Sequence, residues 1–180
     1  GKFGSAPGEF NHPWGISIDP FSGDILVADW LNDRVQRFTQ QGELVQVIGE
    51  KGDTDGEFNH PSGVTVDQYG DIYVADQGNN RVQLFNSRGA FVESFRGDAT
   101  INKRGVDRLL ANPDMLRLRD NVPSLEPEKR FKKPTSVAVG PDGRVYMIDS
   151  GRFRVQVYQK QCVPLRPDQV EAPHRDPVID

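Results

Sequence analysis

Two histidines, His12 and His60, stand in nearly the same local sequence, Phe10-Asn11-His12-Pro13 and Phe58-Asn59-His60-Pro61. An aspartate follows each at the same distance, Asp19 and Asp67. Imidazole and carboxylate are ligand types for zinc and other divalent metals, so a metal held between equivalent positions is the first chemistry to weigh. A looser third copy, Phe131-Lys132-Lys133-Pro134, has Lys133 in the histidine position. The residues after the repeated proline are Trp14, Ser62 and Thr135. No ligand ring is completed. His12 and His60 stay weak metal candidates, and the sequence implies no cofactor. The pairs Asp29/Arg34, Asp76/Arg81 and Asp149/Arg154 recur five residues apart. A catalytic pair is needed once per site. A pair in every copy points to architecture, with Asp accepting turn amides or pinning adjacent strands through an ion pair. No Ser/His/Asp motif and no phosphate-cradling glycine loop between strand and helix is present. Cys162 is the single cysteine, with no charge context that would activate a thiol. No catalytic residue is assigned.

The elements that would position these residues follow from the repeat. In the second copy, Gly63–Asp67 is a short β-branched strand, Gln68–Asp71 a tight turn, and Ile72–Asp76 a second strand. Gln77–Asn80 turns again, Arg81–Phe85 alternates polar and apolar residues, and Ala90–Phe95 is a fourth strand. The first copy reads the same way over Gly15–Asp19, Asp24–Asp29, Arg34–Phe38 and Leu44–Ile48. The third shows Ser136–Val139, Arg144–Asp149 and Arg154–Tyr158. Repeats of this length, each of four short antiparallel strands, are the signature of β-propeller blades. The fold class expected is therefore all-β, with about three four-stranded blades and a short helical insertion. The divisions are 1–9 as the end of a preceding blade, 10–57, 58–130 with an insertion at about 98–130, 131–160, and a Pro-rich tail over 161–180. The connector Gly49/Gly52/Gly56 recurs at Gly1/Gly4/Gly8, which places residues 1–9 at the end of another blade.

The Phe-x-x-Pro lead-in, the Val27-Ala28-Asp29 and Val74-Ala75-Asp76 strand ends, and the Asn-x-Arg-Val-Gln strands at Asn32–Gln36 and Asn79–Gln83 resemble the NHL-repeat β-propellers. The third copy departs from this pattern at Met147-Ile148-Asp149 and Arg152-Phe153-Arg154. The resemblance implies a six-bladed ring, of which the three blades here are part. Members bind proteins or RNA, act as sensors, or occasionally catalyse. The remaining blades are expected from the same polypeptide, or from a second copy in a homodimer.

Residues that break the repeat carry the functional information. Net charge is −4 overall, which makes no global case for nucleic acid or anionic membrane. No apolar run approaches a membrane-spanning length. The charge is nevertheless uneven, with residues 1–95 at net −8 and 96–160 at net +6. The insertion reads as two short amphipathic helices, Gly105–Ala111 and one starting at Asn112-Pro113-Asp114 with Asn112 as N-cap. Its partner-binding candidates, with those of its exit, are Lys103, Arg104, Arg108, Met115, Leu116, Arg117, Arg119, Lys129, Arg130, Lys132 and Lys133. Among Arg96–Lys133 the only aromatic is Phe131, a repeat position, whereas nucleic-acid sites usually mix cations with exposed aromatics. The function expected is a non-catalytic scaffold that binds protein through the propeller loop face and the inserted helices. The alternatives are a metal-dependent lyase or lactone hydrolase with its site in the channel, and RNA binding through the basic insertion.

Overall fold

A computed structural model describes residues 1–97, 111–112, 114 and 126–160. They form three antiparallel sheets. In blade 1, β1 (Pro13–Ile18), β2 (Ile25–Asp29), β3 (Arg34–Phe38) and β4 (Leu44–Ile48) pair in sequence order. Blade 2 repeats this with β5 (Pro61–Val66), β6 (Ile72–Asp76), β7 (Arg81–Phe85) and β8 (Phe91–Phe95). Blade 3 contains β9 (Pro134–Val139), β10 (Arg144–Asp149) and β11 (Arg154–Gln159). A short helix, α1 (Glu126–Lys129), precedes the third blade. The innermost strands start at the repeated proline, two residues before the β-branched run suggests. A bulge between Pro13 and Gly15, and between Pro61 and Gly63, lets the proline face Asp29 or Asp76 across the ladder. Proline lacks the amide a regular ladder needs, so a bulged strand start suits it.

Alternation along each strand gives every blade two apolar faces, and neighbouring blades bury them against each other. Leu26, Ala28 and Val35 of blade 1 pack with Phe58, Val64, Val66, Ile72, Val74 and Phe85 of the second lead-in and blade. The opposite face of blade 2, Tyr73, Ala75, Val82 and Leu84, packs on Phe131, Val137, Val145 and Met147. The innermost strands approach closely at glycine. A Cβ on Gly15 would lie 2.7 Å from Gly63 Cα, and one on Gly63 would lie 2.9 Å from Ser136 Cα.

The two outer faces of this arc repeat the pattern. Ile16 and Ile18 of β1, 69% and 65% exposed, correspond to Val64 and Val66, which are 4% and 8% exposed between blades 1 and 2. Ile148, Val155 and Val157 of blade 3 are likewise exposed at positions where Ala75, Val82 and Leu84 are buried. The insertion candidates Lys103, Arg104, Arg108, Met115, Leu116, Arg117 and Arg119 lie outside the described residues, as do Cys162 and residues 161–180. Within the insertion, the Asn112 side chain accepts the Asp114 amide at 3.2 Å, the bond an N-cap makes.

Candidate functional site

The recurring Asp/Arg pairs are internal fasteners. Asp76 ends β6 fully buried, and its carboxylate accepts from the Asn59 amide (2.8 Å), Asn79 (2.9 Å), Arg81 Nε (2.8 Å) and Gln83 (3.3 Å). Arg81 then donates to the Thr54 and Glu57 carbonyls of the connector at 2.7 and 2.9 Å. Asp29 and Arg34 repeat the arrangement with Asn11, Asn32, Gln36, Ser5, Ala6 and Glu9. Asp149 holds the Lys132 amide and Arg154 Nε, each at 2.8 Å. Burial pushes the Asp76 carboxyl up, and its hydrogen bonds from Asn59, Arg81 and Asn79 oppose that shift. Each Asp ties a strand end to the lead-in and connector around it, so the pair consumes its own chemistry in holding the blade together.

The same side of the arc, the loop face, carries two left-handed non-glycine residues per blade. His12, His60 and Lys133 precede the repeated proline at φ 54–58°. Asp33, Asn80 and Phe153 sit at φ 52–55° in the turn after the second strand. Asp33 Oδ1 accepts the His60 amide at 2.7 Å, and Asn80 Oδ1 accepts the Lys133 amide at 2.8 Å, so this turn position staples each blade to the next. The histidines are oriented locally: His12 Nδ1 is 2.8 Å from Asn11 Oδ1 and His60 Nδ1 is 2.5 Å from Asn59 Oδ1. Among the described residues no group of three or more His, Cys, Asp or Glu side chains could hold a metal ion.

What distinguishes the loop face is where it leaves the repeat. Trp14 is 59% exposed at the position of the buried Ser62, and its ring lies 5.2 Å from that of Trp30. Trp30 in turn packs 4.5 Å from the His60 ring, across the junction of blades 1 and 2. Leu31 is exposed where blade 2 has Gly78, and Trp30 stands where it has Gln77. Phe153 occupies the staple position of blade 3 and is 97% exposed. Of the basic candidates, Arg130, Lys132 and Lys133 are exposed around the blade 3 lead-in, and Lys129 is half-buried in α1. Sequence reasoning missed Trp14, Trp30, Leu31 and Phe153. A column-by-column comparison of the three copies marks all four, because each replaces a small or polar residue.

The opposite face, where β1–β2 and its equivalents turn, contains a cleft of about 480 Å³ whose lining includes Ile18, Val66, Val139, Asp67, Tyr69 and Lys160. Its charges are internally matched. Lys160 Nζ lies 2.6 Å from both Asp67 Oδ2 and Asp71 Oδ2, and 4.7 Å from the Tyr69 ring centre. In blade 1 the equivalent acids, Asp19 and Asp24, are held by Arg37 of the same blade at 2.8 and 2.7 Å. Blade 2 has Leu84 at that strand position, and Lys160 reaches over from blade 3 instead. This second fastener lay beyond the aligned repeat and had no sequence signal.

Two four-stranded antiparallel blades and a third with three strands among the described residues, packed face to face around their innermost strands, define a partial β-propeller. The NHL repeat model matches residues 10–38, 58–85 and 131–158, so the chain carries three stretches similar to NHL repeats. Over 45 residues it is 47% identical to Protein lin-41 of Caenorhabditis elegans, a stretch covering 25% of this chain and 4% of that protein. A protein of unknown function from Bacteroides thetaiotaomicron superposes with a TM-score of 0.58 at 17% identity, covering 82% of this chain and 34% of that one. A virginiamycin B lyase from Staphylococcus aureus superposes at 0.48 and 12% identity, over 84% of this chain and 42% of its own. These relatives are all longer than the stretch that matches.

Proposed function

We propose that this chain is an interaction scaffold without catalytic chemistry, and that it binds other proteins across the loop face of its blades. The observation that carries the reading is the set of repeat-breaking apolar residues on that face. Trp14, Leu31 and Phe153 are exposed at positions where blade 2 holds Ser62, Gly78 and Asn80. Exposed aromatic residues on rigid backbone are the usual anchors of protein interfaces. The Asp/Arg pairs and the Lys160 cluster are occupied within the fold, which removes the best-placed charged groups from catalytic use. The helical insertion would extend the same surface through α1 and the basic residues at its exit. The blades that cover the two outer faces are assigned to the same polypeptide or to a partner.

The test is a random-peptide display selection on the immobilised chain, followed by hydroxyl-radical footprinting with the recovered peptides. Protection of Trp14, Leu31 or Phe153 is the expected result. Recovered peptides that protect only the outer faces, at Ile16 or Val155, would refute the assignment to the loop face.

A further inference from the structure

The staple between blades 1 and 2 carries a charge that stapling does not need. Asp33 Oδ1 accepts the His60 amide at 2.7 Å, and one blade on Asn80 Oδ1 accepts the Lys133 amide at 2.8 Å. A neutral amide oxygen therefore does the same work at the same turn position. Asp33 is only 6% exposed, and it makes no ion pair and no other hydrogen bond among the described residues. Its chain neighbour Arg34 is no counter-charge, because that guanidinium is spent on Asp29 and on the Ser5, Ala6 and Glu9 carbonyls. The lead-ins and turns around the junction, residues 10–13, 30–33, 58–61 and 77–80, hold no Lys or Arg. A carboxylate withdrawn from water is costly unless a cation pairs with it. The junction lies inside the arc with both of its blades described, so Asp33 occupies an internal position.

A row of rings stands at the same junction. Asp33 ends the turn Trp30–Asn32, and the Trp30 ring packs 4.5 Å from the ring of His60, the residue whose amide Asp33 holds. The Trp14 ring continues the row, 5.2 Å from Trp30 and tilted by 58°. The Trp14 position belongs to this junction too. Its equivalent in blade 2, Ser62, reaches the Pro134 carbonyl of the following lead-in at 3.3 Å, so the position looks toward the next blade, which Trp14 has beside it. Trp14, Trp30 and Asp33 depart from the repeat together. Blade 2 has Ser62, Gln77 and Asn80 in these columns, and blade 3 has Thr135, Ser150 and Phe153.

We propose that Asp33, with Trp14 and Trp30, is a docking site for an arginine side chain carried on a segment of a partner protein. This rests on the reading of the loop face as a protein-binding surface and names the chemistry of what binds at the junction of blades 1 and 2. The faces of indole rings attract cations, tryptophan most strongly. The unpaired carboxylate selects the same charge. A guanidinium answers both demands, because its plane stacks on an aromatic face while its edge donates hydrogen bonds to a carboxylate. A nucleic-acid strand does not fit, since it needs cations along its phosphates and these lead-ins and turns hold none.

The experiment is a random-peptide display selection on the wild-type chain with counter-selection on Asp33→Asn. That variant puts the residue of blade 2 at the staple and keeps its acceptor oxygen. Trp14→Ser serves as a second variant. The expected clones contain arginine. As synthetic peptides they bind at least roughly tenfold more weakly to either variant. They weaken in the same way when citrulline, which keeps the shape and loses the charge, replaces the arginine, and their affinity falls as salt rises. Thermal unfolding separates the site from the scaffold. Asp33→Asn should melt no lower than the wild type, whereas Asp33→Ala, which removes the acceptor, should melt lower. Equal losses in the two variants would show that the charge serves the fold and would overturn the proposal. Clones without arginine, or none surviving the counter-selection, overturn it while leaving the loop face a protein-binding surface. A selection that recovers no binder even before counter-selection overturns both.

Discussion

Asp76 and Arg81 are both withdrawn completely from water, and each is the other's buried counter-charge. Removing one partner strands the other, so Arg81→Met should cost about 3–5 kcal/mol in urea unfolding. Arg154→Met should cost distinctly less, because the Arg154 side chain keeps 26% of its exposure and water can solvate Asp149 once it is gone. Equal losses would contradict this account of the fasteners. On the opposite face, burial pushes the Tyr73 hydroxyl up to about 12 from 10.0, with Asp67 and Asp71 adding to the shift and Lys160 opposing it. Burial would lower Lys160, but its hydrogen bonds to Asp67 and Asp71 outweigh this and hold its ammonium above the ordinary 10.5. Both folded values therefore lie above the unfolded ones. The stabilisation they give is complete below the unfolded values of 10.0 and 10.5, and it is lost as pH rises through the folded ones. Unfolding free energies measured across this alkaline range should fall for the wild type and fall less steeply for Lys160→Met and Tyr73→Phe. Identical slopes in all three would refute the linkage. Phe153→Asn should stabilise the chain by about 1 kcal/mol through relief of left-handed strain, measured as a rise in thermal midpoint.

Among the elements, β1, β5 and β9 do most to set the arc, because their backbones meet with only glycine between them. Gly63→Ala would drive a Cβ to 2.9 Å from Ser136 Cα and 3.2 Å from Thr135 O, both backbone atoms that cannot rotate away. It should cost about 1–3 kcal/mol with the far-ultraviolet spectrum preserved. A neutral Gly63→Ala would mean that the blades are spaced more widely than described here. The strands themselves were legible in the sequence, because β-branched runs, turn glycines and the Asp-to-Arg interval occur in phase in three copies. The closer detail was not. The bulge after Pro13 and Pro61 moves the strand start without altering the hydrophobic pattern, and Lys160 reaches Asp67 and Asp71 from a blade far along the chain. The loop-face anchors were hidden for another reason. Trp14 and Trp30 read as ordinary core aromatics unless the three copies are compared column by column, and only the structure shows that the strand start and turn carrying them open on one face.

For the molecule as a whole, the two outer faces are halves of an interface that it already displays twice. Ile16 and Ile18 present what Val64 and Val66 bury, and Ile148, Val155 and Val157 present what Ala75, Val82 and Leu84 bury. Apolar faces of this kind drive association, so the chain studied alone should self-associate with rising concentration, and Ile18→Lys combined with Val157→Lys should suppress it in sedimentation velocity. A monodisperse wild type at high concentration would contradict that expectation. The central claim is that what repeats is scaffold and what breaks the repeat binds. Its most direct test is a single variant in which blade 2 residues are restored on the loop face: Trp14→Ser, Trp30→Gln, Leu31→Gly and Phe153→Asn. Calorimetric titration with a peptide selected on the wild type should give a cooperative, folded protein with binding lost. A folded variant that binds the peptide as tightly as the wild type would contradict the claim.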